Sequence, residues 1–513
     1  MNREAREVLR LYTELLEVSH ETYGGETSYK DLVNASIEGM VRSLDPHTSF
    51  LTAEAYSQMR DRQQSSFFGL GILVGLRNGQ ITVITPIEGT PASRMGLRAG
   101  DVIAAIEGET TEGMNINEAV RQLKGPKGTE VTITISRPGL DEQLEVTIVR
   151  DEIPQVSVRY QYMVSPETGY ISISDFNRGT AREVREAVQV LREQGMKQLL
   201  VDLRTNGGGL LDQAIEVVQQ FLPKGSKVVE TRGRTRDSHQ EYFSEDPAPA
   251  LDLPMVILVG EGTASAAEIF AGAIQDHDVG LIVGSPTWGK GLVQTVYSLS
   301  YGAGLALTTA RYYTPSGRLI QRDYSSWFDY STHSNGVIPA EIDSEEGEAV
   351  AIEAYRTALG RKVYGGGGIT PDVIIEPQEI PSLLQLLLSR NAFFDFAVSY
   401  ANRHPIESRE WQVPDSVLDE FLDWVVEEDL ITIEELTEET ADSAVAKEVR
   451  RNLRGELLNS AFGIEARYEV IAEGDPQILE ALTLFEDARS LLARRQLLLE
   501  DSSQPEKTAS LAE

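Results

Sequence analysis

The 513-residue chain contains no cysteine. Disulfide frameworks, thiolate nucleophiles and cysteine-bound zinc are therefore excluded, although that absence does not fix the compartment. Histidine is scarce, with six in the chain, so an imidazole base has few places to come from. No run of about 18 apolar residues occurs, which excludes a helical membrane span. Positive charge is in deficit: 46 Lys and Arg stand against 80 Asp and Glu, a net charge of −34. Such a chain repels phosphate, so nucleic acid and anionic lipid are poor partners. The acidic excess, much of it in the C-terminal part, also serves plain solubility. The opening MNREAREVLRLY is a charged amphipathic start and not a signal peptide. Either the protein is cytosolic or an export segment lies outside this sequence.

What is present divides into modules, because a chain this long exceeds a single hydrophobic core. Residues 1–66 read as helical: Val8, Leu11, Leu15 and Val18 recur at helical spacing, as do Ile37, Met40, Val41 and Leu44. SLDPHTSFL (43–51) ends the second helix, since proline disfavours helix in the residue before it. Residues 67–150 are short β-runs separated by glycine turns, with one helix over Asn117–Leu123. From 151 to 377 strands and helices alternate, then β-hairpins follow, with a polar and aromatic surface insertion at 322–362. This pattern implies helices packed on a mixed sheet. Residues 378–500 are again amphipathic helices, open to oligomerisation or to capping another module. Residues 501–513 have no periodicity and read as disordered.

The chemistry centres on Pro254–Gln294, PMVILVGEGTASAAEIFAGAIQDHDVGLIVGSPTWGKGLVQ. It reads as a buried strand, a turn carrying Ser265, a helix, a second strand, and a turn carrying Lys290. A serine hydroxyl needs a base to take its proton. His277 lies beside Asp276, but twelve residues along a helix is about 18 Å from Ser265, so a Ser-His-Asp arrangement is disfavoured. The strand at 280–284 instead brings Lys290 back toward the serine end. Burial against Trp288 would favour the neutral amine that a base requires. Residue types alone favour a solvated surface lysine. Likewise LRTNGGGL (203–210) is either a βα turn or a source of oxyanion-binding amides, and GLG (69–71) either a turn or a carboxylate-binding loop.

GLGI (69–72), PIEGTPASRMGLRAGDVI (86–103) and LKGPKGT (123–129) together resemble the PDZ domain of bacterial carboxyl-terminal processing proteases. The resemblance extends over about residues 5–377. That family carries a serine in S-A-x-E and, 25 positions on, a lysine in G-K-G-x-V-Q; here these are Ser265 and Lys290, with Gln294 completing the second motif. The resemblance implies a multidomain α/β protein: a helical N-terminal segment, a β-rich PDZ domain, an α/β protease core with a mixed sheet, and a helical C-terminal region. It implies a serine endopeptidase with Ser265 as nucleophile, Lys290 as base and Gln294 orienting the amine, without metal or cofactor. Ala266 and Gly208, with Gly209 next to it, would supply the oxyanion hole. Leu70, Gly71 and Ile72 would hold a substrate carboxylate, with Val120 and Leu123 lining the pocket for its last side chain. Arg137 matches an arginine proposed to couple peptide binding to the active site. Asp276 matches a recurring acid and is expected to be structural. Gly207 stands where the family commonly has proline. The partners implied are proteins or peptides with free apolar C-termini, with a homo-oligomer through the helical regions as a further expectation. The location implied is the periplasm or cell envelope. The rival reading is a catalytically silent PDZ scaffold.

Overall fold

The computed structural model describes residues 3–245, 250, 252–324 and 353–503, with backbone only for 501–503. Most of the insertion expected at 322–362, and 504–513 of the tail expected to be disordered, lie outside these residues. Residues 501–503 complete the last helix, Phe485–Ser503.

The protease-like core is a six-stranded sheet ordered Val158–Ser165, Thr168–Ile173, Gln198–Asp202, Met255–Val259, Leu281–Gly284, Val373–Ile374. The first pair is antiparallel and the remaining pairs are parallel. Strands buried on both faces read as unbroken apolar runs, and all five residues of Met255–Val259 are buried. On one face Ile171, Val201, Ile257 and Val259 pack with the helices Thr180–Glu193, Leu211–Val218 and Ala266–Asp276. On the other, Tyr170, Leu200, Val256, Leu258 and Val283 pack against Ile478, Ala481, Phe485, Ala488 and Leu491. The chain's last helices, Pro476–Thr483 and Phe485–Ser503, therefore close the second face of the core. Much of the apolar surface of this region packs within the chain, while Ile433, Leu479, Leu497 and Leu498 stay exposed. The first helix, Arg3–Thr22, differs: none of its residues is buried, and Val8, Leu11, Leu15 and Val18 are exposed.

A second sheet follows the order Ser49–Leu51, Gly304–Tyr313, Lys227–Gly233, Gln240–Phe243, with Leu292–Ser298 paired to Gly304–Tyr313. One expectation changes here. SLDPHTSFL does end a helix, at Arg42, but its last three residues form a strand of this sheet.

The β-rich module is a sheet of Ile72–Arg77, Gln80–Pro86, Val102–Ile106, Glu130–Ser136 and Leu144–Val149, with the short Glu109–Thr110 attached and the helix Ile116–Leu123 packed on it. Ile72–Arg77 is an edge strand beside that helix. FFGLGILVGL, one run in the sequence, is broken in two: Ser66–Gly69 leaves the module and pairs with Asp151–Pro154.

Candidate active site

Three turns meet at the carboxyl ends of the parallel strands, the edge at which open α/β sheets place their sites. They follow Asp202, Val259 and Gly284 and carry the glycine loop, Ser265 and Lys290 respectively. Ser265 caps the helix Ala266–Asp276 with φ 56° and ψ −116°. A residue with a β-carbon avoids that conformation, at a strain of about 1–3 kcal/mol. The neighbours over-determine it. Ser265 N donates to Glu268 Oε2 at 2.8 Å, Ile269 N donates to Ser265 O at 3.1 Å, and Tyr312 Oη reaches Ser265 O at 3.0 Å.

The glycine loop is packed directly on the serine. Asn206 O accepts from Ala264 N at 2.9 Å, and Thr263 Oγ1 donates to Leu203 O at 2.7 Å. Gly208 has φ 99°, and a β-carbon there would lie 2.7 Å from Ser265 Cβ and 2.8 Å from Ala264 O. Only glycine permits this approach. The amide of Gly208 is occupied, however: it donates to Asn206 Oδ1 at 2.8 Å. Among the described residues the amides of Ala266 and Gly209 have no such acceptor, and both residues line the cleft with Ser265.

That cleft, of about 1340 Å³, also takes in Lys290, Gln294, Tyr312 and, from the N-terminal helix Ala53–Gln63, Met59 and Gln63. Lys290 Nζ donates to Gln294 Oε1 at 2.9 Å. Burial lowers the Lys290 pKa, against the charges of Glu268 and Asp45 that raise it. Ser265 and Lys290 share the cleft, yet no hydrogen bond joins Ser265 Oγ to Lys290 Nζ.

Glu268, unremarked in the sequence beyond its place in the serine motif, fastens the Ser265 and Lys290 turns together. It is fully buried and accepts from Ser265 N, Lys290 N (2.9 Å), Gly289 N (2.7 Å) and Thr287 Oγ1 (2.5 Å). Burial raises its pKa, opposed by these four donors. Tyr312 adds a second tie, its hydroxyl lying between Ser265 O and Lys290 O. Neither role is visible in sequence, because a buried acceptor is defined by donors from distant turns. Glu268→Gln turns an amide NH₂ toward backbone N–H groups. It is expected to destabilise the fold by about 3 kcal/mol and to lower kcat by about tenfold or more, read by denaturant melts and steady-state kinetics.

His277 sits at the opposite end of the helix as its C-cap, its Nε2 2.6 Å from Lys227 O. Asp276 is buried in an ion pair with Arg318 at 2.7 Å and accepts from Ser316 N at 3.0 Å. Both have structural partners. Arg137 does not approach the serine; it forks onto buried Asp101 at 2.7 and 2.8 Å and donates to Gly96 O at 2.8 Å. Its contacts are internal to the β-rich module. In that module Leu70 and Leu123 are core residues, whereas Ile72 and Val120 are half-buried. The amides of Leu70 and Gly71 have no acceptor among the described residues. Gly71 has φ 79°, and a β-carbon there would lie 2.3 Å from Thr90.

Parts of the chain match known protein families. The peptidase family S41 model matches residues 167–325, a PDZ domain model matches 82–137, and a model for the C-terminal helical domain of probable PDZ-proteases matches 383–447. A carboxy-terminal-processing protease of Bartonella bacilliformis is 42% identical over 294 residues, covering 56% of this chain and 67% of that protein. The chain belongs to peptidase family S41. As an S41 member it is a serine-type peptidase with a PDZ domain, of the carboxy-terminal-processing kind. The carboxy-terminal processing protease CtpA of Bacillus subtilis is 35% identical over 301 residues, with 58% of this chain and 64% of that one covered. The chain thus spans about two thirds of the length of these curated relatives. A solved photosystem II D1 C-terminal processing protease is 26% identical, with 72% and 92% of the two chains covered and a TM-score of 0.36. Among the described residues no helix is long and apolar enough to cross a membrane.

Proposed function

We propose that this S41 peptidase is an endopeptidase that cuts proteins near their C-termini with a serine–lysine pair. The observation that carries the reading is the half-buried Lys290 amine, held by Gln294 in the cleft that contains strained Ser265. Neutral Lys290 Nζ takes the proton from Ser265 Oγ as the oxygen bonds to the scissile carbonyl carbon. The carbonyl oxygen gains the negative charge, facing the amide of Ala266 at the helix start and a second amide from the glycine loop. With Gly208 N tied to Asn206, Gly209 is the loop amide ready for this role. The carbon–nitrogen bond then breaks as the lysine ammonium returns its proton to the leaving amine. Water, deprotonated by the same lysine, hydrolyses the acyl-enzyme and restores Ser265.

The PDZ domain captures the substrate's free, apolar C-terminal tail. Its edge strand Ile72–Arg77 has an open side for an added strand, and the free amides of Leu70 and Gly71 lie at the start of that strand. Ile72 and Val120 are the accessible apolar groups for the terminal side chain. The periplasm or cell envelope is the proposed location, by family alone.

The test uses a peptide with an apolar C-terminus, given to the wild type and to Ser265→Ala. Cleavage by the wild type only is expected; cleavage by both, or by neither, overturns the reading. Amidating the peptide C-terminus removes the negative charge from the loop's ligand and should weaken capture about tenfold. Equal binding of free and amidated peptides by titration would remove the carboxylate-loop assignment.

A further inference from the structure

Gln294 holds Lys290, and a residue far away in sequence holds Gln294. The amide of Gln294 has an accepting end and a donating end. Its Nε2 donates to the backbone carbonyl of His47, 247 positions earlier in the chain. A carbonyl can only accept, so it selects Nε2 and leaves Oε1 to face Lys290 Nζ at 2.9 Å. A neutral amine has two N–H groups and one lone pair. With one N–H held on Oε1, free rotation about the Cε–Nζ bond is stopped and the lone pair is confined to the two remaining staggered positions.

The His47 carbonyl is itself immobilised by a tight turn. Asp45 Oδ1 accepts from His47 N and Thr48 N, both at 2.8 Å, and Asp45 Oδ2 accepts from Thr48 Oγ1 at 2.6 Å. The turn is sewn to the second sheet. Thr308 Oγ1 donates to Asp45 Oδ1 at 3.0 Å, and Thr308 N donates to Thr48 Oγ1 at 3.2 Å. Ser49–Leu51 continues as a strand along Gly304–Ala306, and Thr308 is the cross-strand partner of Gln294. The contacts thus close a ring: Gln294 to Thr308 by sheet register, Thr308 to Asp45, Asp45 to His47, and His47 back to Gln294.

We propose that the Asp45–Thr48 turn is a positioning element of the proteolytic site, fixing Gln294 through the His47 carbonyl and, through Gln294, the proton-accepting direction of Lys290. This rests on the serine–lysine reading above. The electrostatics agree with the placement. Burial lowers the His47 imidazole to about 4, with Lys290 and Arg322 acting in the same direction and Asp45 opposing. Burial tends to raise Asp45, but its bonds from Thr48, His47 and Thr308 hold it below the ordinary range. The charged groups facing Lys290 are Glu268 and Asp45, both of which favour its ammonium.

The test is a double-mutant cycle in the full chain with Asp45→Asn, Gln294→Ala and the pair together. Asp45→Asn keeps one acceptor oxygen and the shape but loses the charge and the acceptor for Thr48 Oγ1. It is expected to lower kcat about tenfold at nearly constant KM, and to move the acid limb of the pH–kcat profile to lower pH, because an anion favouring the ammonium is gone. A turn that merely supported the fold would lower the melting temperature and give losses independent of Gln294; the limb shift reports the Asp45 charge on Lys290 alone. If the turn acts through Gln294, the double variant is no slower than Gln294→Ala alone. Multiplicative losses, or unchanged kcat in Asp45→Asn, overturn the proposal. Should Asp45→Asn not fold, Thr308→Val removes one donor to Asp45 with its β-branched shape retained, and the same non-additivity with Gln294→Ala is required. Loss of the underlying reading has a different signature: Ser265→Ala would then cleave.

Discussion

Lys290→Arg is expected to lose turnover by about 10³-fold, the usual contribution of a positioned base, while its melting temperature stays close to the wild type. Arginine retains a cation of similar reach, but its guanidinium stays protonated at every accessible pH and has no lone pair to offer. A lysine that served only as a fixed positive charge would be replaced with modest loss. Substantial activity in Lys290→Arg would therefore remove the base assignment. Lys290→Met should be equally inactive and should differ in stability in a defined direction. Burial holds the Lys290 pKa below its ordinary 10.5 in the folded chain. Between that lowered value and 10.5 the unfolded chain binds the extra proton, so wild-type stability rises as pH rises through the window. Below the window the ammonium is penalised by burial, and methionine relieves it. The methionine variant is expected to melt higher at neutral pH and to lack the rise in stability toward alkaline pH.

The second large effect concerns Ser265. Ser265→Ala should reduce kcat by about 10⁴-fold or more, since it removes the proposed nucleophile and leaves the remaining groups nothing to activate. Stability separates the chemistry from the backbone. Alanine keeps the β-carbon at φ 56° and so retains the strain, whereas glycine removes it. Ser265→Gly is expected to exceed Ser265→Ala in stability by about 1 kcal/mol, measured by urea denaturation. Equal stabilities would mean that Ser265 N, its carbonyl and Glu268 hold this conformation without strain.

Much of this site was legible in the sequence because its parts follow one another along the chain. Ser265, its helix, the return strand and Lys290 lie within one stretch, and helix length alone separated His277 from the serine. The glycine loop was also readable, as a turn after a strand. The use of Gly208's amide was not, because Asn206 Oδ1 and Phe176, which shape that loop, act through contacts that no spacing encodes. The same limit hid Glu268, Tyr312 and the Asp45–Thr48 turn. The last was read as a helix stop, which it is, but proline's local effect says nothing about the sheet 250 or more positions away that the turn joins. Arg137 shows the converse. Its match in the family pointed outward, while buried Asp101, which also accepts from Arg98 N, fixes it inside its own module.

The closure of the core by the last helices has a consequence for how the enzyme is made. During synthesis residues 160–283 emerge with one sheet face already matched by their own helices. Tyr170, Leu200, Val256, Leu258 and Val283 must wait for Ile478 to Leu491 to leave the ribosome. Until then a nascent or truncated chain presents a bare apolar sheet, the kind of surface that recruits chaperones or aggregates. Because the helices Pro476–Thr483 and Phe485–Ser503 complete this scaffold, removing them is expected to keep the folded core from forming.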